Sequence, residues 1–459
     1  MIQPDAQRAS RLGGALLLGS LLAGCAVHSA HDRETVSSDV LGRTGHALRP
    51  EPGTAPDLPE GVSLDDGLSE DEAVAIALWR NADLEVTLAE MGLAKADLVE
   101  AGLIKNPIFS LLFPLGPKQL EFTLTWPIET LWQRPRRVAA AQLDMARTSE
   151  RLVQSGLDLV RDVRVAYADA VLDEERARLA GESRDVRERI AEIAAAQVRL
   201  GDISPLEAAT VEVEAARARD DAQRASYAAR SSRDRLHTLL GLTGITAGHD
   251  PALVPGPPLR GAVPALDGLL AEAFAARPEL RAVELAMEAA GARAGVARSE
   301  ILNLSAVLDA NGSGTEGFEM GPGLVLEIPL FGRNKGRLAR AEAELEIEAR
   351  RYVATRERIG LEVRQARTAL VSARASLAIW ENSVLPALEL NLSRLQTALA
   401  EGDASSLEIL AARRSTLDAQ LLEAGARAAA RRAEAALGHG VGLALDRATP
   451  ADTPSEARP

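Results

Sequence analysis

The chain has 459 residues, 26% charged but only 3% aromatic, with 66 acidic side chains against 52 lysines and arginines. A mixture heavy in Ala, Leu, Arg and Glu marks long helices and coiled coils. A net charge of −14 argues against a nucleic-acid partner, which needs a basic face, and a single cysteine excludes an intrachain disulfide.

Arg8 and Arg11 precede an apolar run from Leu12 to Gly24, too short for a spanning helix and suited to a secretory signal over residues 1–24. Leu22-Ala23-Gly24-Cys25 resembles a bacterial lipobox, in which Cys25 is lipid-modified and becomes the mature N-terminus. An ordinary signal peptide with an incidental cysteine is the plainer alternative. Ala26 stands where an aspartate would resemble an inner-membrane retention signal, so outer-membrane sorting is expected. Burial of the acyl chains contributes about 0.8 kcal/mol per methylene and supplies the anchor. Residues 25–66, rich in Pro, Gly, Ser and Asp without a sustained period, read as a lipid-anchored extended tether. His28 and His31 lie close together in it and could catch a metal, but a site needs more ligands, so they are expected to be loop residues.

Two units of one plan follow, over 67–242 and 265–441, with a Pro- and Gly-rich linker at 243–264 and a disordered tail at 442–459. The first opens on Ser69 and Glu72, the spacing of a capping box. Asn81 aligns with Arg277, Trp126-Pro127-Ile128 with Ile328-Pro329-Leu330, Gly201-Asp202 with Gly402-Asp403, and Leu240-Gly241 with Leu437-Gly438. The offset stays between 196 and 202 residues, so the chain is a tandem duplication.

Each unit predicts one very long helix, near 138–199 and 334–399. Two shorter helices accompany each, near 83–102 and 204–241 and near 280–301 and 405–437. Sixty residues of helix make roughly 90 Å, about three times a hydrocarbon core, and these sequences are too polar to sit in lipid. Val153, Leu157, Val160, Tyr167 and Val171 form one apolar stripe, continued by Leu179, Val186, Ile190 and Ile193. Leu152, Leu159, Ala166 and Ala170 form a second beside it. Two adjacent seams let a helix pack on both sides, as the wall of a tube of antiparallel coiled coils requires.

Strand pairs are expected near 107–127 and 304–329. Leu120, Phe122, Leu124 and Trp126 alternate with Gln119, Glu121, Thr123 and Thr125, the apolar-out, polar-in pattern of a membrane barrel strand. Leu304, Ala306, Leu308 and Ala310 make a weaker outward face. The segment NGSGTEGFEMG reads as a flexible turn, and Leu324, Leu326 and Ile328 as the return strand. These lengths predict a thin barrel, and four strands must meet other copies to remove their edges. A basic cluster follows each pair, Arg134, Arg136 and Arg137, then Arg333, Lys335, Arg337 and Arg340. Cations oppose the dipole at a helix N-terminus, so these read either as headgroup contacts or as a solvated charge run.

Taken together over about 69–441, these landmarks resemble the TolC-like outer-membrane efflux family, in its lipoprotein branch. They include Asn81-Ala82-Asp83-Leu84, Arg277-Pro278-Glu279-Leu280, Asn106-Pro107, both strand ends, both Gly-Asp-x-Ser turns and the lipobox. The resemblance implies a mainly α chain with a small β-barrel part, assembled as a homotrimer. Its barrel would stand in the outer membrane of a Gram-negative bacterium and its helical tunnel in the periplasm. It also implies a periplasmic adaptor and an inner-membrane pump as partners. The two turns would be the periplasmic tips, with Leu200, Gly201, Ser204, Gly402 and Ser405 meeting the adaptor. Glu408, Glu207, Asp403 and Asp202 would lie at the constriction, Glu408 corresponding to its pore-lining acid. The family's second constriction acid, latch tyrosine and latch arginine fall at Ala411, Leu399 and Ala404, so a closed-state lock does not carry over.

Three copies of Glu408 around a lumen would attract cations and raise one another's pKa; on a surface helix the same carboxylates would simply face solvent. The sequence holds no phosphate loop, nucleophile elbow, dinucleotide fingerprint or His/Cys cluster, so neither catalysis nor a cofactor beyond the Cys25 lipid is expected. A lipid-anchored periplasmic scaffold without a conducting barrel is the alternative, and the Leu120–Trp126 alternation speaks against it.

Overall fold

A computed structural model describes residues 27, 29–50, 57–113, 115, 118–243, 250–257, 259, 261–300, 303–313, 317–328 and 334–443. The expected signal segment 1–24, Cys25, His28, the turn expected at Gly116-Pro117, Pro329–Arg333 and residues 444–459 lie outside them. The elements run α1 (Arg33–Thr44), α2 (Glu70–Arg80), α3 (Ala82–Gly102), β1 (Ile108–Leu112), β2 (Lys118–Pro127), α4 (Thr130–Leu200) and α5 (Pro205–Leu240). Then come α6 (Leu266–Ala276), α7 (Pro278–Ser299), β3 (Asn303–Ser313), β4 (Gly317–Glu327), α8 (Lys335–Ile379), a π-helical turn (Trp380–Val384), α9 (Leu385–Glu401) and α10 (Ser406–Val441). From α2 onward the order helix, helix, strand, strand, long helix, helix occurs twice. The residues gather into two compact units, described in turn.

The first unit, with Thr87–Leu152 and Pro278–Arg356, carries an antiparallel sheet of order β1-β2-β3-β4. Its register places Phe122 opposite Leu111 and Ala310, and Leu124 opposite Phe109 and Leu308. β3 and β4 continue the row, Ala310 against Met320 and Ala306 against Leu324. β2 has 10 residues and β3 and β4 have 11 each, the span of a membrane strand, while β1 has five. Three of the four strands are thus longer than the expected thin barrel implied, and only β1 is short. Asn311–Ser313 and Gly317–Gly321, read as a turn, continue the ladder, because paired backbone needs no apolar side chain to stay in register.

The basic clusters also find a structural use. Arg134 Nε donates to Gly102 O at 2.6 Å and Arg137 donates to Leu103 O at 3.0 Å, both at the C-terminal end of α3. Asn334 donates to Ala297 O at 2.7 Å in the last turn of α7, and Arg337 pairs with Glu300 at 2.7 Å. Arg134, Arg137 and Asn334 satisfy carbonyls at the end of the preceding helix, and the two arginines also complement its negative end. α4 itself begins at Thr130 rather than near Val138, has 71 residues and accommodates Pro135.

The second unit, with Ser37–Val86, Val153–Arg277 and the chain from Glu357, holds the helical core. Val153, Leu157, Val160 and Tyr167 are buried, and so are Leu152, Leu159, Ala166 and Ala170. Both predicted seams of α4 are therefore occupied. Farther along, Leu179 and Val186 pack with Leu417 of α10, flanked by Ile190 and Leu410. The second long helix is interrupted, as the expectation near 334–399 did not foresee. Pro386 lacks an N–H, and just before it Leu385 N–H reaches back five residues to Trp380 O.

The tether is not wholly extended. Asp32 caps α1 by accepting from Thr35 N–H at 2.9 Å, Val40 and Leu48 are buried, and Val40 lies against Gly156 of α4. Arg43 donates to Ala276 O. Leu68 and Leu253 form a parallel bridge closed by Leu68 N–H to Ala252 O at 2.8 Å and Val254 N–H to Leu68 O at 2.9 Å. The Tyr167 hydroxyl reaches both Leu68 O at 2.6 Å and Val254 O at 2.7 Å. Burial pushes its phenol pKa up, so it stays a donor.

The helix junctions repeat to the residue. Asn81 and Arg277 both break the helix with extended backbone. Asn81 Nδ2 donates to Leu239 O at 2.9 Å, and Arg277 donates to His439 O at 2.7 Å and Gly440 O at 3.0 Å. Each closing helix ends on a left-handed glycine, Gly241 at φ 65° and Gly442 at φ 82°. The pairing of Leu240-Gly241 with Leu437-Gly438 is thus corrected to Val441-Gly442; Gly438 lies inside α10.

Candidate functional site

The two turns are built identically. After α4, Gly201 at φ 81° donates to Val198 O and Asp202 N–H donates to Gln197 O at 2.9 Å. After α9, Gly402 at φ 85° donates to Leu399 O and Asp403 N–H donates to Ala398 O at 2.8 Å. This double bond ends a helix on its own carbonyls and needs the left-handed conformation that glycine adopts freely. Three residues past each glycine the next helix is capped. Ser204 Oγ accepts from Glu207 N–H at 3.2 Å while a Glu207 carboxylate oxygen accepts from Ser204 N–H at 2.9 Å. Ser405 and Glu408 repeat the exchange at 3.3 Å and 2.7 Å. Pro205 occupies the first helical position of α5, where its missing N–H is not needed.

Leu200, at 76% exposed, and Leu206, at 78%, project from the first turn, and Asp202 and Asp403 are exposed as well. Leu399 and Ala411 are exposed and Ala404 is half-buried. Ser405 N–H and hydroxyl hold the Glu408 carboxyl below its ordinary range within one chain. The upward push expected of a ring of three would have to come from the other copies. Beyond the turns, Arg414 of α10 pairs with Glu214 of α5 at 3.3 Å and Arg187 of α4 approaches the same carboxylate at 3.6 Å.

In the sheet, the register gathers Leu120, Phe122, Leu124 and Trp126 with Phe109, Leu111, Ala306, Leu308, Phe318 and Met320 on one face. Phe122 touches Phe109 and Phe318, with centroids 6.0 Å and 5.8 Å apart. Thr123 and Asp309 meet on the opposite face at 2.8 Å. The predicted β2 face is therefore one strip of a wider apolar surface. Its Phe109 and Phe318 members escaped the sequence reading because β1 is short and Phe318 fell in the supposed turn.

A family profile described as outer membrane efflux protein fits residues 118–242 and 269–442, both repeats. The chain belongs to the outer membrane efflux protein family. Within it, the chain is similar to the cobalt-zinc-cadmium resistance protein CzcC of Cupriavidus metallidurans, 26% identical over 363 residues, which make up 77% of this chain and 85% of that one. Its fold matches the CusC structure with a TM-score of 0.64 at 18% identity, over 86% of this chain and 99% of that one. A membrane protein from Pseudomonas aeruginosa matches at 0.67 and 18% identity, over 86% and 98%. The long helices and the four-stranded sheet of this chain thus follow a fold seen in solved structures. Among the described residues no His, Cys, Asp and Glu side chains gather as a metal site.

Proposed function

We propose that the chain is the outer-membrane channel of a tripartite efflux system. As a homotrimer it passively conducts cargo handed on by an inner-membrane pump and a periplasmic adaptor. The observation that carries this is the sheet: four antiparallel strands with one continuous apolar face, in which the outer edges of β1 and β4 meet no further strand among the described residues. An unpaired edge invites another strand, and three copies close the ring with the apolar face toward lipid. Among the described residues no helix is long and apolar enough to cross a membrane, whereas β2, β3 and β4 have the required length.

The turns present Leu200, Gly201, Ser204, Gly402 and Ser405 to the adaptor, and Glu408 with Glu207, Asp202 and Asp403 line the narrow end. Lipid on Cys25 adds a second hold on the outer membrane. The name of the CzcC relative makes cobalt, zinc and cadmium the first cargo to test.

The test is the purified full-length protein in planar bilayers, paired with chemical crosslinking. Trimers that conduct support the channel; trimers or monomers that never conduct support a scaffold. Glu408→Gln keeps an amide that can still cap Ser405 while removing the charge, so unchanged cation selectivity would remove Glu408 from the constriction. Palmitate labelling that survives Cys25→Ala would remove the lipid anchor.

A further inference from the structure

Near the C-terminal end of α10, His439 is buried with carboxylates on both ring nitrogens. Nε2 lies 2.6 Å from Asp158 Oδ1 of α4, and Nδ1 lies 2.9 Å from Glu362 Oε1 of α8. Glu362 is also held by Arg277 at 3.0 Å, and Arg161 of α4 stands 3.8 Å from Asp158. Two further donors point at Nε2, Gln154 Nε2 at 3.2 Å and Arg161 at 3.4 Å. Arg43 of α1 and Arg164 of α4 line a small cavity beside the imidazole, together with Ala435 and Gly438 of α10. All these residues belong to the second unit.

A neutral imidazole has one N–H and one lone pair, so it cannot donate to two carboxylates at once. We propose that His439 is a proton-operated clamp, which when charged holds Asp158 of α4 and Glu362 of α8 together and when neutral releases Asp158. The choice of Asp158 follows from the surroundings. The proton on Nε2 leaves to solvent, and the freed lone pair then accepts from either Gln154 or Arg161. Nδ1–H stays on Glu362, which Arg277 keeps in place. One charge-assisted bond between α4 and α10 is exchanged for neutral or weaker ones, while α8 stays attached. The clamp concerns the packing of one chain and holds whether or not the assembly conducts.

Burial pulls the imidazole pKa down, but the bonds to Asp158 and Glu362 outweigh it and leave His439 above its ordinary value. Burial raises the Glu362 carboxyl, and His439 with Arg277 more than reverses this, to about 2. A raised histidine contributes its full stability below its unfolded value of about 6.5 and loses it as pH rises through the folded value. The clamp therefore closes in mild acid and opens in alkali.

Hydrogen exchange at the imidazole C2 position, read by mass spectrometry on the full-length protein, gives the midpoint of each histidine. His439 is expected to titrate above about 6.5, and Asp158→Asn to move that midpoint down. A midpoint at or below the ordinary value, or one indifferent to Asp158→Asn, overturns the clamp. Amide exchange around Asp158 is expected to rise several-fold, beyond the intrinsic rate, between mildly acidic and alkaline buffer. In His439→Gln it should stay level, with His237→Gln behaving as the wild type. The same rise in His439→Gln as in the wild type also overturns it.

Discussion

Asn81 and Arg277 stand at matching positions of the two repeats, and each reaches across to carbonyls in the last turn of the helix that closes its repeat. Asn81 binds Leu239 O at 2.9 Å and Arg277 binds His439 O at 2.7 Å. The duplication has kept the contact while changing its chemistry from a neutral amide to a guanidinium.

The change alters what each position contributes. The Arg277 side chain is only 2% exposed and also neutralises Glu362. Arg277→Met is expected to cost about 3–5 kcal/mol, because it leaves the half-buried Glu362 carboxylate with His439 alone and takes a buried donor from two carbonyls. Asn81→Ala removes the bonds to Leu239 O and Leu84 N–H and is expected to cost about 1–3 kcal/mol. Thermal unfolding of the two full-length variants ranks them.

Gly241 and Gly201 share a left-handed backbone but not surroundings. A Cβ on Gly241 would meet Arg80 O at 2.5 Å, whereas one on Gly201 meets nothing within 4 Å. Gly201→Ala should cost only the backbone strain of about 1–2 kcal/mol. Gly241→Ala should cost clearly more, since α2 must shift. Limited proteolysis of both proteins separates the cases, and equal protection would contradict the close approach.

At the second turn, Ser405 lowers the Glu408 pKa. A depressed carboxyl contributes above its unfolded value, about 4.3, and loses that contribution as pH falls through the folded one. Amide protection in the first turn of α10 should therefore stay level from neutral pH to about pH 5 and collapse in stronger acid. Ser405→Ala should weaken that turn at every pH, which amide exchange on the intact protein reads directly.

The two faces of β2 should respond differently to one charge. If the Leu124 face meets lipid, Leu124→Arg costs about 2–4 kcal/mol of membrane stability. Thr125→Arg, on the opposite face, should be tolerated. The amount of heat-resistant protein in the outer-membrane fraction measures both.

Periodicity made the long helices, their two seams and the β2 face legible in the sequence. A helix of many turns repeats its pattern often enough to be recognised, and a duplicated landmark is seen twice. α1 was missed because one turn-and-a-half of apolar positions, Val36 and Val40, hardly departs from loop composition, and its docking against Gly156 is a long-range contact. The helix ending at Gly442 was misplaced because Gly438, Gly440 and Gly442 look alike in sequence. Only packing separates them: a Cβ on Gly440 would touch Val363, and Gly442 alone of the three turns left-handed. The Arg134 and Arg137 pair misled for a related reason, since their partners lie at the end of a different helix. At the turns, Gly-Asp-x-Ser fixed the local geometry, but nothing within one chain reveals what faces Glu408.

Each of those turns closes on bonds made within a dozen consecutive residues, glycine to the helix behind it and serine to the helix ahead. Asp202 and Asp403 supply the closure through backbone N–H, and neither their carboxylates nor the side chains of Ile203 and Ala404 hold the turn in these bonds. The bend is thus a self-contained module with two interchangeable side-chain positions at its apex. A chain of this kind can retune which surface it offers to another protein by substituting those apex residues, and leave the packing of its helices untouched.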